Sequence, residues 1–200
     1  MNKEARLVLD DAPNAQSSIL EMGLIAACSF ANFPEDHLAT VLREPISRAL
    51  SNYRFTRDQG LEKLSATEAF ALDYAGVRRE PNKTTSVNSF HYLRRSRYAS
   101  FLPCWISTWP PDAVSILVFG EMIKSTDQVN ALLRKIGITQ DVPASAKFES
   151  RINNSTTAIS IEEGSELRAR YSASFTDSNA WLENQGLDLS GWVRVSDNHV

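Results

Sequence analysis

Two short apolar runs, Leu38-Ala-Thr-Val-Leu42 and Val114-Ser-Ile-Leu-Val-Phe119, constrain the fold more than any other feature of this chain. Both have strand length and β-branched character, and turn residues bound them: Arg43-Glu44-Pro45 after the first and Pro110-Pro111-Asp112 before the second. Strands this apolar are buried on both faces, which requires helices above and below the sheet. A third run, Ala5 to Leu9, is closed by Asp10, Asp11 and Pro13 and reads the same way.

Helical patterns fill the intervals. From Gln16 to Phe33 the apolar positions cover most of a helix surface, so that helix should be enclosed. Ile46 to Arg57 starts behind a proline, which is harmless at the first helical position because that N–H is unpaired anyway. Helical spacing predicts further helices from Phe90 to Trp109, from Asp127 to Ile136 and from Glu162 to Asn184. Ser65 with Glu68, Ser125 with Gln128, and Ser160 with Glu163 have the spacing of capping boxes, and Gly137 stands where a helix should stop. Strands alternating with helices predict an α/β fold: a three-layer parallel sheet, with strands at 5–9, 38–42 and 114–119 and helices on both faces. At 200 residues, one domain spanning 1–200 is expected.

Composition narrows the function classes. With 21 basic and 24 acidic side chains the net charge is −3, so no global field draws the chain to nucleic acid or to an anionic membrane. The longest apolar run, Met22 to Phe33, is interrupted by Gly23, Ser29 and Asn32 and falls short of the ~18 residues of a membrane span. The first ten residues lack the apolar core of a secretory signal, which predicts a cytoplasmic protein. Cys28 and Cys104 have no metal-binding or redox spacing and are expected to be buried thiols.

The segment Val41 to Tyr53 carries the chemistry. It puts Arg43 at the carboxyl end of a strand and opens a helix directly after, which is where ligands bind in open α/β sheets. Free N–H groups at a helix start attract anions, and a guanidinium adds a planar, bidentate donor for phosphate. Ser47 and Ser51 lie four apart on one helix face and can complete such a site. The plain alternative is a strand-turn-helix with solvated charges.

This segment resembles the 3′-phosphate-binding motif of sulfotransferases that use 3′-phosphoadenosine 5′-phosphosulfate (PAPS), L-R-[D/N]-P-x-x-R-x-x-S-x-Y. Leu42, Arg43, Pro45, Arg48, Ser51 and Tyr53 match, with Glu44 in place of the commoner Asp or Asn. Asp10 to Pro13 looks like the family's E-x-[T/S]-P stretch, and Ser65 to Phe70 like its short helix after the phosphate motif. Tyr98 to Leu102 with Trp105 and Pro110 resembles Y-x-x-x-L-x-x-W, Ile116 to Met122 stands in place of the usual strand ending in E-x-[L/M], and Leu167 to Trp192 resembles the C-terminal helix and closing tryptophan.

What the resemblance implies is a P-loop-NTPase-like fold, with Arg43 and Ser51 holding the 3′-phosphate of PAPS. Lys147 and Arg151 fall where relatives place a loop over the adenine and 3′-phosphate. The implied reaction moves sulfate to a hydroxyl of a carbohydrate, heparan-type acceptors included, without a metal. The family's Gly-rich, Lys-containing loop for the 5′-phosphosulfate has no counterpart here, because Gly23 is the first glycine and sits within an apolar helical pattern. The chain therefore looks like the C-terminal part of a sulfotransferase without the first βα unit, and is expected to be inactive alone. The alternative is a non-catalytic remnant or truncated product that keeps the fold and binds nucleotide or a partner. No catalytic base is assigned. His37 and His91 read as surface or helix-start residues, Arg94, Arg95 and Arg97 as a solvated face, and Trp105, Trp109, Trp181 and Trp192 as core.

Overall fold

The computed structural model describes residues 37–79, 89–146 and 155–192. In chain order its elements are β1 (Leu38–Leu42), α1 (Pro45–Asp58), α2 (Ala66–Tyr74), α3 (Leu102–Thr108), β2 (Val114–Val118), α4 (Phe119–Lys124), α5 (Asp127–Lys135), α6 (Ile161–Tyr171) and α7 (Thr176–Asn184). β1 and β2 pair in parallel, from Leu38 opposite Val114 to Leu42 opposite Val118, as their sequences predict. The expected strand at 5–9, the apolar helix from 16 to 33 and Cys28 lie outside the described residues.

Helix α1 forms because Pro45 presets the first turn and the Glu44 carboxylate accepts hydrogen bonds from the Ile46 and Ser47 amides, at 2.9 and 2.7 Å. Its apolar face, Ile46, Ala49, Leu50 and Tyr53, is buried against Ala66, Ala69 and Phe70 of α2, Phe90 to Leu93, and Leu167 and Tyr171 of α6. Each large apolar side chain fully buried there stabilises the fold by about 1.5–3 kcal/mol. A second core gathers Leu42, Val118, Tyr98, Leu102, Leu182, Leu189 and Trp192. The turn at Arg43 to Pro45 joins the two cores, with Leu42 anchored in one and Ile46 in the other.

Several sequence readings are corrected. Residues 90–109 are not one helix: two 3₁₀ turns, Arg94–Ser96 and Tyr98–Ser100, are separated by Arg97 at φ −82°, ψ 67°, and only α3 is α-helical. The Asp73 carboxylate, buried on α2, accepts the Leu93 and Arg94 amides at 2.6 and 3.2 Å and fixes the entry to the first turn. The C-terminal helix is also divided, because Ser172–Phe175 tightens into a 3₁₀ turn between α6 and α7.

Of the three capping boxes, Ser65 with Glu68 is reciprocal, and Ser160 receives the Glu163 amide at 3.0 Å. Ser125 with Gln128 does not form. Thr126 is the residue before α5, and the Gln128 side chain instead accepts the Val118 amide of β2 at 2.9 Å. Trp109 and Trp192 are core residues as expected, whereas Trp105, Trp181 and Cys104 are only half-buried.

Candidate functional site

Parallel pairing brings the carboxyl ends of β1 and β2 to one edge, so Arg43 and Phe119, the residues that follow them, become neighbours. The Arg43 guanidinium carbon lies 5.2 Å from the centre of the Phe119 ring, within cation–π range. Sequence reading singled out Arg43 and missed Phe119, whose position follows only from the strand register. Arg43 is exposed beyond its strand, and its backbone carbonyl accepts a 2.7 Å hydrogen bond from Tyr98 Oη.

The turn is tied down from the segment before α3. Ser96 Oγ donates to the Pro45 carbonyl at 3.0 Å, and Arg48 donates from Nε to Ser96 Oγ and from Nη2 to the Tyr92 carbonyl, each at 2.8 Å. The motif's second arginine is thus structural. It holds α1 against residues 92–96, where Ser96 is fully buried.

The outer side of α1 carries the half-buried Ser47 and the exposed Ser51, Phe55 and Asp58, and both ends of the helix are bound. At the start, Arg168 of α6 donates to Glu44 Oε2 at 2.6 Å and to Ser47 Oγ at 2.8 Å. At the end, Asp58 accepts the amides of Thr156 and Thr157 at 3.0 Å each, and their hydroxyls at 2.9 and 2.7 Å. The hydroxyls of Ser155 and Thr157, with the Thr156 hydroxyl and amide, hold the Asp58 carboxyl well below the usual carboxylate range. Ser51 stays exposed between the two clamps. Six residues beyond Pro45 place it about 9 Å along the helix axis.

This arrangement modifies the expected anion site. The amides of Ile46 and Ser47 already bind the Glu44 carboxylate, so the start of α1 is capped from within the chain. Ser47 Oγ is occupied by Arg168. Arg43 and Ser51 are the two predicted residues that the structure leaves exposed on this side. Lys147 and Arg151 lie outside the described residues.

His37 is at the opposite end of the sheet, where its Nε2 lies 3.0 Å from Ser115 Oγ. Burial, with the charge of Lys135, pushes its pKa down. His91 is buried. Glu121, at the start of α4, pairs with Lys124 at 2.9 Å. A groove of about 400 Å³ runs beside β2, lined by Ile106, Val114, Ile116, Leu132 and Lys135 among others, and includes neither Arg43 nor Ser51. Among the described residues no group of three or more His, Cys, Asp or Glu is placed to hold a metal ion, and no helix is long and apolar enough to cross a membrane.

No protein-family model matches this chain, and no curated protein does. Among solved structures it is similar to the sulfotransferase from Alicyclobacillus acidocaldarius, with 22% sequence identity and a TM-score of 0.63. The match covers 84% of this chain and 62% of that one, so the chain spans less than two thirds of the length of that structure. Two parallel strands interspersed with helices among the described residues, in an arrangement similar to that structure over most of the chain, identify an α/β fold of the sulfotransferase kind.

Proposed function

We propose that this chain binds the 3′-phosphorylated nucleotide PAPS and supplies the 3′-phosphate site of a sulfotransferase acting on a hydroxyl of a carbohydrate, heparan-type acceptors included. One observation carries the reading. In a fold of the sulfotransferase kind, the two residues to which the motif resemblance assigns the 3′-phosphate are both exposed, Arg43 at the carboxyl end of β1 and Ser51 on the helix that follows. The rest of the motif is absorbed into structure: Pro45 starts α1, Arg48 holds it in place and Tyr53 is buried beneath it. The three-layer sheet within one domain spanning 1–200 belongs to the same proposal.

In the proposed reaction the acceptor oxygen forms a bond to sulfur while the bond from sulfur to the phosphate oxygen breaks. The hydroxyl proton leaves, and adenosine 3′,5′-bisphosphate departs. A guanidinium and a hydroxyl on the 3′-phosphate orient the nucleotide without touching the sulfur, so they govern affinity rather than the chemical step. The negative charge that grows on the bridging oxygen requires preorganised donors, and loss of even one commonly costs on the order of 10²-fold or more in rate. The eight glycines of this sequence are scattered, and none forms a Gly-rich, Lys-containing loop.

Residues 1–200 by themselves are therefore expected to bind adenosine 3′,5′-bisphosphate but to transfer no sulfate. Calorimetric titration should show the bisphosphate bound more tightly than adenosine 5′-monophosphate, and incubation with labelled PAPS and a glycan acceptor should leave the acceptor unlabelled. Equal binding of the two nucleotides would refute the site. Turnover by these residues alone would show that another part of the chain receives the phosphosulfate.

A further inference from the structure

Glu44 places a negative charge one residue from Arg43, next to the position proposed for a phosphate. Its side chain is largely enclosed, with 12% of its surface accessible, so water screens it only in part. The carboxylate faces the amides of Ile46 and Ser47 and, at 2.6 Å, the guanidinium of Arg168. Arg168 comes from the last turn of α6, 124 residues further along the chain, and its second arm on Ser47 Oγ fixes its orientation. The contact is charge-assisted, made by a side chain that is itself 26% accessible.

From this geometry we infer that Arg168 is a positioning residue of the phosphate site, cancelling the Glu44 charge so that Arg43 can bind an anion. The inference rests on the reading given under Proposed function and adds a second determinant of affinity to it. With Arg168 in place, the pair presents no net charge beside the incoming phosphate. Without it, an uncompensated carboxylate stands within a few residues of a dianion, and repulsion over that range is substantial where screening is incomplete.

The test is titration of the full chain with adenosine 3′,5′-bisphosphate, with Arg43→Ala measured alongside to check the underlying reading. Arg168→Met should weaken binding roughly tenfold at low salt, and less at high salt. Glu44→Gln added to Arg168→Met should restore affinity to within about twofold, which no purely structural role of Arg168 would produce. Arg168→Lys should keep most of the affinity. Glu44→Gln alone leaves Arg168 as a surplus cation and should tighten binding by about two- to fivefold, and it decides the matter if Arg168→Met does not fold.

Failure of the double variant to recover, or no tightening in Glu44→Gln, overturns the inference while Arg43→Ala still weakens binding. If the wild type does not distinguish the bisphosphate from the 5′-monophosphate, the reading under Proposed function fails and the inference falls with it.

Discussion

Asp73 shows how a single side chain fixes the approach to the site. Burial pushes its pKa up, while the Leu93 and Arg94 amides it accepts pull the other way and lose. A carboxyl whose folded-state pKa is raised holds its proton longer in the folded state than in the unfolded chain. Its contribution therefore falls as pH rises from the ordinary value of 3.8 into the range above it. Asp73→Asn keeps an acceptor oxygen for both amides and removes the charge. Thermal or urea unfolding should find that variant within about 1 kcal/mol of wild type at neutral pH, with a flatter pH profile just above pH 4. Asp73→Ala leaves the buried Leu93 amide and the part-buried Arg94 amide unpaired and should cost about 2–4 kcal/mol. A similar loss in both variants would mean that the carboxylate charge itself is required.

Arg48 and Arg168 illustrate the limits of reading residues from sequence. Arg48 matches the phosphate motif, and it donates inward to Ser96 and Tyr92, a role settled by where residues 92–96 pass. Arg168 carries no local signal at all, because its partner is 124 residues away. Glu62 is similar. It is 3% exposed and bonded to Arg79 and Tyr92, whose positions only the tertiary fold supplies.

At the scale of elements, the legible parts were those where two independent signals agree. Branched residues and strand length mark β1 and β2, and a proline after a charged turn marks the start of α1. Apolar spacing alone was insufficient over 90–109, since two 3₁₀ turns interrupt the segment and Arg97 leaves the helical region between them. Ser125 and Gln128 have capping spacing, but the edge amide of Val118 claims the glutamine.

The attachment of α1 to the segment before α6 is a prediction of its own. Asp58 is held below the usual carboxylate range by Ser155, Thr157 and Thr156, so the attachment contributes above the ordinary value of 3.8 and is lost as pH falls through the lowered one. Hydrogen exchange at the Thr156 and Thr157 amides should therefore stay protected at pH 4, relative to the intrinsic rate at that pH. In Asp58→Asn protection should fall at every pH. Unchanged protection in that variant would show that backbone packing, rather than the carboxylate, holds the segment.

At the scale of the whole molecule, two cores meet at one turn. Leu42 is anchored among Tyr98, Val118 and Trp192, Ile46 among Tyr53, Phe70 and Tyr92, and of the three residues between them only Arg43 is exposed. Fixing both flanks of a short turn gives Arg43 a defined place beside Phe119 while leaving its side chain exposed. Preorganisation of this kind lowers the ordering cost of binding an anion.

The most direct test of the account is the affinity of Arg43→Ala for adenosine 3′,5′-bisphosphate, measured by calorimetry on a variant shown by circular dichroism to be folded. Losing a charged hydrogen-bond partner costs ~1.5–3 kcal/mol, so binding should weaken by roughly 10- to 150-fold, with a smaller loss for Ser51→Ala. Adenosine 5′-monophosphate, which lacks the 3′-phosphate, should bind wild type and both variants equally and weakly. Equal affinity of wild type and Arg43→Ala for the bisphosphate would contradict the account and leave the turn as a structural link between the two cores.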